Sequence, residues 1–328
     1  MSIHSPEVAL IGGGTGSFTL LSELKNFTPN ITAIVNMCDD GGSTGILRDE
    51  LGVLPPGDAR QCLVALSDNP NVRDLFSFRF GEGRFEGQSL GNIILSGLEI
   101  QHGSFTKAID VASEILHITG KVTPATLSKH TLVLQDGDEI IRGESNIADS
   151  KISSLDAVVR LEPCPIINPQ AAEAIESADL VIIAPGNLYA SLLPIFAVNG
   201  ITEALDETDA KIVNVTNLVT KPGQTDNWHV VDYVKAFEKY IGEGRIDAVL
   251  YNDEPIRPEL LRKYAAEGEY SVSTEKERFR EIDARAIGAR LVSEAISAQD
   301  PNDKKIKRTL IRHDAKQVGR QLMRIFYE

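Results

Sequence analysis

Disulfides, thiol–metal knuckles and nucleic acid drop out before any motif is read. The 328-residue chain has three cysteines, Cys38, Cys62 and Cys164. Odd in number and far apart, they suit neither a disulfide framework nor a C-x-x-C metal or redox site. A positive surplus is missing too: 33 Lys and Arg against 47 Asp and Glu leave a net charge of −14. That field repels a phosphate backbone, and the basic cluster Lys304, Lys305, Lys307 and Arg308 is short and mostly offset by nearby acids, so nucleic acid is not expected as a partner. No apolar run approaches the roughly 20 residues of a membrane span, so no membrane is expected either. The opening Met1-Ser-Ile-His-Ser-Pro has no basic region and no apolar stretch of signal-peptide length, which predicts an unprocessed, cytoplasmic protein. H-E-x-x-H, G-x-S-x-G and the Walker G-x-x-x-x-G-K-[ST] are all absent. The histidines His4, His102, His117, His130, His229 and His313 are dispersed and read as surface or packing residues. His313 stands apart, between a short apolar strand ending at Arg312 and a last helix for which Asp314 is the expected N-cap.

What is present is an ordinary globular composition, 42% hydrophobic and 24% charged, long enough for a sizeable core. Short apolar runs, Gly/Asn/Asp-rich turns and amphipathic stretches alternate as in parallel βαβ units. The clearest strands are Val8 to Ile11, Ile31 to Val35, Leu180 to Ala184, Lys211 to Val215 and Asp247 to Tyr251. Unbroken apolar runs belong to strands covered on both faces. The expected class is therefore α/β, a Rossmann-like, doubly wound, mostly parallel sheet in a single domain over 1–328, with the ligand crevice formed by both halves. Leu132 to Arg142, two short strands around Asp136-Gly137, reads as a hairpin. With Ala157 to Leu161 it predicts a small antiparallel β excursion at about 130–162. The polar stretches Ser271 to Arg285 and Gln299 to Lys307 read as solvated helix or loop.

Candidate site residues fall at strand ends. Gly12-Gly13-Gly14-Thr15-Gly16-Ser17 follows the first strand, where glycines and a helix N-terminus admit a phosphate. It departs from G-x-G-x-x-G, and Asn36 stands where a ribose-reading acid would end the second strand, so NAD is the less suitable cofactor. Asp39-Asp40-Gly41-Gly42-Ser43-Thr44-Gly45 follows the second strand. Its paired carboxylates Asp39 and Asp40 would hold Mg²⁺ beside a phosphate, though the same residue types also make plain turns and caps. Pro55-Pro56-Gly57-Asp58-Ala59-Arg60 offers a guanidinium that clamps phosphate, or an Asp58–Arg60 pair that caps a helix. Gly91-Asn92 opens another helix. In the second half, Ala184-Pro185-Gly186-Asn187-Leu188-Tyr189, Thr216-Asn217, Lys221-Pro222-Gly223 and Asn252-Asp253 again follow strands, which points to one crevice.

Taken in order, Gly12 to Gly16, Asp39 to Gly45, Pro55 to Arg60, Gly91-Asn92, Ala184-Pro185-Gly186 with Leu188-Tyr189, and Arg312-His313-Asp314 resemble the CofD-like superfamily, and more closely its bacterial gluconeogenesis-factor branch, over nearly the whole chain. The resemblance implies a Rossmann-like fold and a UDP-sugar ligand, UDP-N-acetylglucosamine in particular. It also implies a regulatory role that links carbon flow to cell-wall precursor synthesis and cell shape through cell-wall biosynthesis enzymes. It further implies that Tyr264 and Arg312 hold the uridine-diphosphate portion. The enzymatic branch transfers 2-phospholactate from a nucleotide diester with a metal-bound phosphate, so the alternative is a metal-dependent transferase of that type or of the uridylyltransferase type. Three positions depart from the family pattern: Gln88 where a histidine is usual, Gln61 for Asn, and Asn187 for Ser. A homodimer is expected, since related folds pair through a helix face.

Overall fold

The structure, a computed structural model, describes residues 5–152, 156–294 and 310–328. The apolar runs form the centre of a parallel sheet built from β1 (Val8–Gly12), β2 (Ile31–Val35), β3 (Lys121–Pro124), β7 (Leu180–Ile183), β8 (Lys211–Val215), β9 (Ala248–Asn252) and β10 (Arg285–Ala289). Its order is β10-β9-β8-β7-β1-β2-β3, and every neighbouring pair is parallel. Alternate side chains of one strand serve opposite cores, which is why the run must be apolar throughout. Val8 and Leu10 pack with helices Gly14–Leu24, Gly57–Leu66, Phe105–Leu116 and Ala315–Tyr327. Ala9 and Ile11 pack with helices Pro169–Glu176, Ile201–Glu207 and Val230–Ile241 on the other face.

The antiparallel excursion is a second sheet, β4 (Thr131–Asp136), β5 (Glu139–Arg142) and β6 (Val158–Glu162), in the order β5-β4-β6. Asp136 pairs with Glu139 around a two-residue turn whose first residue, Gly137, has φ +61°, the backbone that a tight hairpin demands of its first turn residue. Leu132, Leu134, Val159 and Leu161 turn one face of this sheet into the second core.

Several expectations are corrected. Ser271 to Arg285 is not simply solvated helix or loop. Ser271 and Ser273 make bridges to Val219 and His229, and edge strand β10 begins at Arg285. Asp58 and Arg60 lie inside the helix Gly57–Leu66 rather than in a turn before it, and Ser43 to Gly45 lie inside the helix Gly42–Leu51. Arg312 ends no strand, because His313 makes only an isolated bridge to Val292. Asp314 does cap the last helix, accepting the Gln317 N–H at 3.0 Å. The stretch Gln299 to Lys307 lies outside the described residues. Among the described residues no helix is long and apolar enough to cross a membrane.

Candidate functional site

The strand order reverses direction between β1 and β7, and in open parallel sheets ligands sit beyond the carboxyl ends of strands at such a point. The glycine turn and the Pro185–Gly186 turn meet there, so closely that a Cβ on Gly16 would lie 1.8 Å from the Pro185 carbonyl oxygen. One N–H of this turn is engaged within the fold. Gly14 donates to the Asp58 Oδ1 at 2.8 Å, and a Cβ on Gly13 would strike the same carboxylate at 2.1 Å. Asp58 thus occupies the anion seat at the start of helix Gly14–Leu24. Gly12 and Gly13 are buried, while Thr15 is exposed on the first helical turn.

The neighbouring carboxylates behave likewise. Asp39 accepts the Gly41 N–H at 3.1 Å, ahead of helix Gly42–Leu51. Asp40 accepts the Glu144 and Ser145 N–H groups, both at 2.8 Å, and the Ser145 hydroxyl at 2.7 Å, so it caps the short helix Glu144–Asp149. Each carboxylate meets the positive end of a helix dipole. Burial, and then the charge of Asp39, pushes the Asp58 carboxyl up to about 7. Burial, followed by Asp39, Asp40 and Asp58, pushes Glu144 up to about 8. Asp39 is also raised, chiefly by burial.

Asp39 and Asp40, expected as a pair for Mg²⁺, both accept backbone N–H groups. Asp40 spends both oxygens on the 144–145 backbone, and among the described residues no three His, Cys, Asp or Glu side chains converge as a metal-holding group. Cys38 sits 3.3 Å from His130 Nε2, yet burial holds the thiol well above its usual range, so the pair does not supply a thiolate nucleophile.

Ser43, Arg60 and Asn92 form a buried polar network. Arg60 donates through Nε to Asn92 Oδ1 at 2.8 Å and through Nη1 to the Phe76 carbonyl at 3.3 Å. Ser43 donates to Gln88 Oε1 at 2.8 Å and accepts the Ser89 N–H at 3.1 Å. Satisfied networks of this kind fix helix positions. Gly42, with φ +47° and nothing within 4 Å of a Cβ, stays open.

In the second half the Asn217 side chain grips Gly186 at both ends, accepting its N–H at 2.9 Å and donating to its carbonyl at 2.8 Å. Asn187 caps Ala190 at 3.3 Å, and Leu188 is buried in the core. Beside them, at the ends of β8 and β9, opens a pocket of about 280 Å³, lined among others by Asn217, Leu218, Tyr251, Asn252, Ile256 and Leu261. Asn252 holds its rim by accepting the Leu291 N–H at 3.0 Å and donating to the Glu254 carbonyl at 2.6 Å. The apolar lining residues are what sequence reasoning missed, because nothing distinguishes them from core residues before the loops are placed.

Tyr264 is 8% exposed in the first core, and its hydroxyl accepts the Ile311 N–H at 3.0 Å. It therefore anchors the 311–314 turn and does not present an open ring face for stacking. Arg312 is half-buried on that turn, and its carbonyl accepts the Ser293 N–H at 2.8 Å. His313 donates from Nε2 to the Thr216 carbonyl at 3.1 Å, and burial pushes its imidazole down to about 4. The neutral ring is the one the fold accepts, so stability is present above the ordinary histidine value near 6.5 and falls as pH drops from there toward 4. His313→Gln should therefore gain in melting temperature relative to the parent as pH is lowered from 7 to 4.5. A pH-independent difference would contradict this assignment.

Compared with known proteins, residues 8–292 match the family model described as 2-phospho-L-lactate transferase CofD. The chain belongs to the CofD family. Within it, the chain falls in the gluconeogenesis-factor branch. It is 38% identical over 332 residues to the gluconeogenesis factor of Bacillus subtilis, covering 99% of both chains. It is 37% identical over 324 residues to that of Halalkalibacterium halodurans, covering 96% of this chain and 95% of the relative. A crystal structure of a Bacillus halodurans protein superposes with a TM-score of 0.89 at 36% identity, over 98% of this chain and 100% of that one. A second crystal structure of the same Bacillus halodurans protein, a member of the UPF0052 family, gives 0.88. In this CofD-family chain Gln88 serves as acceptor for the Ser43 hydroxyl.

Proposed function

We propose that the protein is a cytoplasmic regulatory protein that binds a UDP-sugar, UDP-N-acetylglucosamine in particular. In this reading it links carbon metabolism to cell-wall precursor synthesis and cell shape by contacting cell-wall biosynthesis enzymes, as a homodimer. The observation that carries this reading is the pocket at the ends of β8 and β9. Its volume of about 280 Å³ falls just below the roughly 300 Å³ at which ligand pockets begin, which suits a nucleoside portion with the rest of the ligand extending outward. Leu218, Tyr251, Ile256 and Leu261 give apolar walls, Asn217, Asn252, Ser271 and Thr274 give amides and hydroxyls, and Asp253 and Glu254 can accept from ribose hydroxyls. With aspartates in the helix N-terminal seats near β1 and β2, a diphosphate is better served on the Arg312 side.

A second reading, a metal-dependent transferase acting on a nucleotide-linked phosphate, draws on the name of the matching family model. The engagement of Asp40 with residues 144–145 weighs against it. A calorimetric panel of UDP-sugars, GDP and NAD, with and without Mg²⁺, separates the two. Binding of UDP-N-acetylglucosamine without Mg²⁺ supports the sensor, whereas strictly Mg²⁺-dependent binding with turnover supports the transferase. Losing one charge-assisted contact costs about 1.5–3 kcal/mol, so Arg312→Ala should weaken UDP-N-acetylglucosamine by about tenfold or more. Tyr264→Phe, which removes only the acceptor for Ile311, should weaken it less. Parent-like affinity in a folded Arg312→Ala variant would remove the guanidinium from the site.

A further inference from the structure

Buried polar atoms in a folded chain nearly always have a partner, and a buried tyrosine usually spends its hydroxyl on one. Tyr251, the fourth residue of β9, departs from this. It is 8% exposed and packs in the second core, yet its hydroxyl makes no hydrogen bond among the described residues. The ring rests on Phe279, with centroids 4.9 Å apart, and Phe279 rests in turn on His229 at 5.1 Å. These contacts hold the ring in place where it lines the pocket at the ends of β8 and β9. The two amides of that lining already hold backbone groups, Asn217 at both ends of Gly186 and Asn252 at the Leu291 N–H and the Glu254 carbonyl. The Tyr251 hydroxyl holds nothing.

Two residues further on, Asp253 falls on the same face by the alternation of a strand. Its carboxylate lies back over the edge strand β10, because a Cβ on Gly288 would fall 2.4 Å from Oδ2, and Gly288 is the residue paired with Tyr251. Only glycine leaves that space. The carboxylate is exposed, lines the same pocket, and makes no hydrogen bond or ion pair among the described residues. Burial, and then the charge of Asp253, raises the Tyr251 phenol above its usual range, so the phenol keeps its proton as a donor. An ionised carboxylate only accepts. A group that suits both must accept from one and donate to the other, which a ribose hydroxyl does, and the neighbouring 2′ and 3′ positions offer the carboxylate two O–H donors. The ribose-reading acid missing from the end of β2, where Asn36 stands, thus has a counterpart at the end of β9.

We propose that Tyr251 and Asp253 together read the 2′,3′-diol of the nucleoside, the phenol donating to the 2′-oxygen and the carboxylate accepting from both hydroxyls, so that the pocket takes ribonucleotides and discriminates against their 2′-deoxy counterparts. The inference rests on the nucleotide-sugar reading and adds to it the class of nucleotide and the residues that select it. A 2′-deoxyribose leaves the phenol without a partner in a desolvated place, and sites built around a hydroxyl reject the analogue lacking it for that reason.

Calorimetric titration of UDP-N-acetylglucosamine and of its 2′-deoxyuridine analogue into the full chain tests this, in the parent, Tyr251→Phe and Asp253→Asn. The parent should bind the ribo form about tenfold tighter or more. Tyr251→Phe keeps the ring on Phe279 and Asp253→Asn alters an exposed side chain, so both variants should keep the parent's melting temperature. Each should weaken the ribo form by about fivefold or more and leave the deoxy form within about twofold of the parent, so that the preference collapses. Equal weakening of both forms in either variant, the signature of a merely structural role, overturns the joint reading. Equal affinity of the parent for the two forms overturns the diol selection while leaving UDP-sugar binding in place. A parent that binds neither form overturns both.

Discussion

A single methyl group at residue 16 is expected to destabilise the protein by about 3 kcal/mol or more, at the upper end of overpacking costs. The Cβ of Gly16→Ala would fall 1.8 Å from the Pro185 carbonyl oxygen, and both partners are backbone, so no side-chain rotation relieves the contact. The β1 turn and the β7 turn would have to separate, opening the point where the sheet reverses direction. Gly14→Ala is the control. There φ is +64° and the nearest atom to a Cβ is 3.9 Å away, so only the left-handed backbone strain of about 1–2 kcal/mol applies. Urea denaturation should rank Gly16→Ala well below Gly14→Ala. Equal midpoints would mean that the two turns are not packed as described.

The second large effect is expected at Asp58, and its sign depends on pH. The carboxyl is held up to about 7 by burial and by Asp39, against about 3.9 in an unfolded chain. The folded state therefore binds the proton more tightly. The stability contributed by the protonated form is full below about pH 4 and is lost as pH rises through 7. Asp58→Asn keeps an oxygen to accept the Gly14 N–H and removes the titration. Relative to the parent it should gain on the order of 3 kcal/mol between pH 4 and pH 8, measured as the difference in unfolding free energy. Asp58→Ala loses the acceptor as well and should fall below the asparagine variant at every pH. A parent-to-asparagine difference that does not grow with pH would contradict the buried, proton-holding carboxyl.

These variants also mark where the sequence stops being informative. The central strands were legible because a parallel strand covered on both faces must be apolar at every position, as in Val8 to Ile11 and Leu180 to Ile183. The hairpin was legible because Gly137 occupies a turn that needs positive φ. The edge strand β3, Lys-Val-Thr-Pro, is mostly buried but carries two polar residues and a proline, and β10, Arg-Ala-Ile-Gly-Ala, is only partly covered, so neither shows an unbroken apolar run. Strand-end positions for Gly14, Gly186, Asn217 and Asn252 could be read locally, since each follows an apolar run. What the polar groups do there could not. Asp58 reaches Gly14 across 44 residues and Asp40 reaches Ser145 across 105, and no spacing rule connects positions that far apart. Motif residue types predicted anion seats; the fold filled those seats with its own aspartates.

The proposed binding of a UDP-sugar in the pocket at the ends of β8 and β9 is decided by calorimetric titration of UDP-N-acetylglucosamine into the parent and Leu261→Trp. Leu261 lines the pocket and is half-buried, so the larger indole can fill the cavity while the fold is kept, which the melting temperature checks. The expected result is one saturable site per chain in the parent and no measurable binding in Leu261→Trp at an unchanged melting temperature. Parent-like binding by Leu261→Trp, or no binding of any UDP-sugar by the parent, would contradict it.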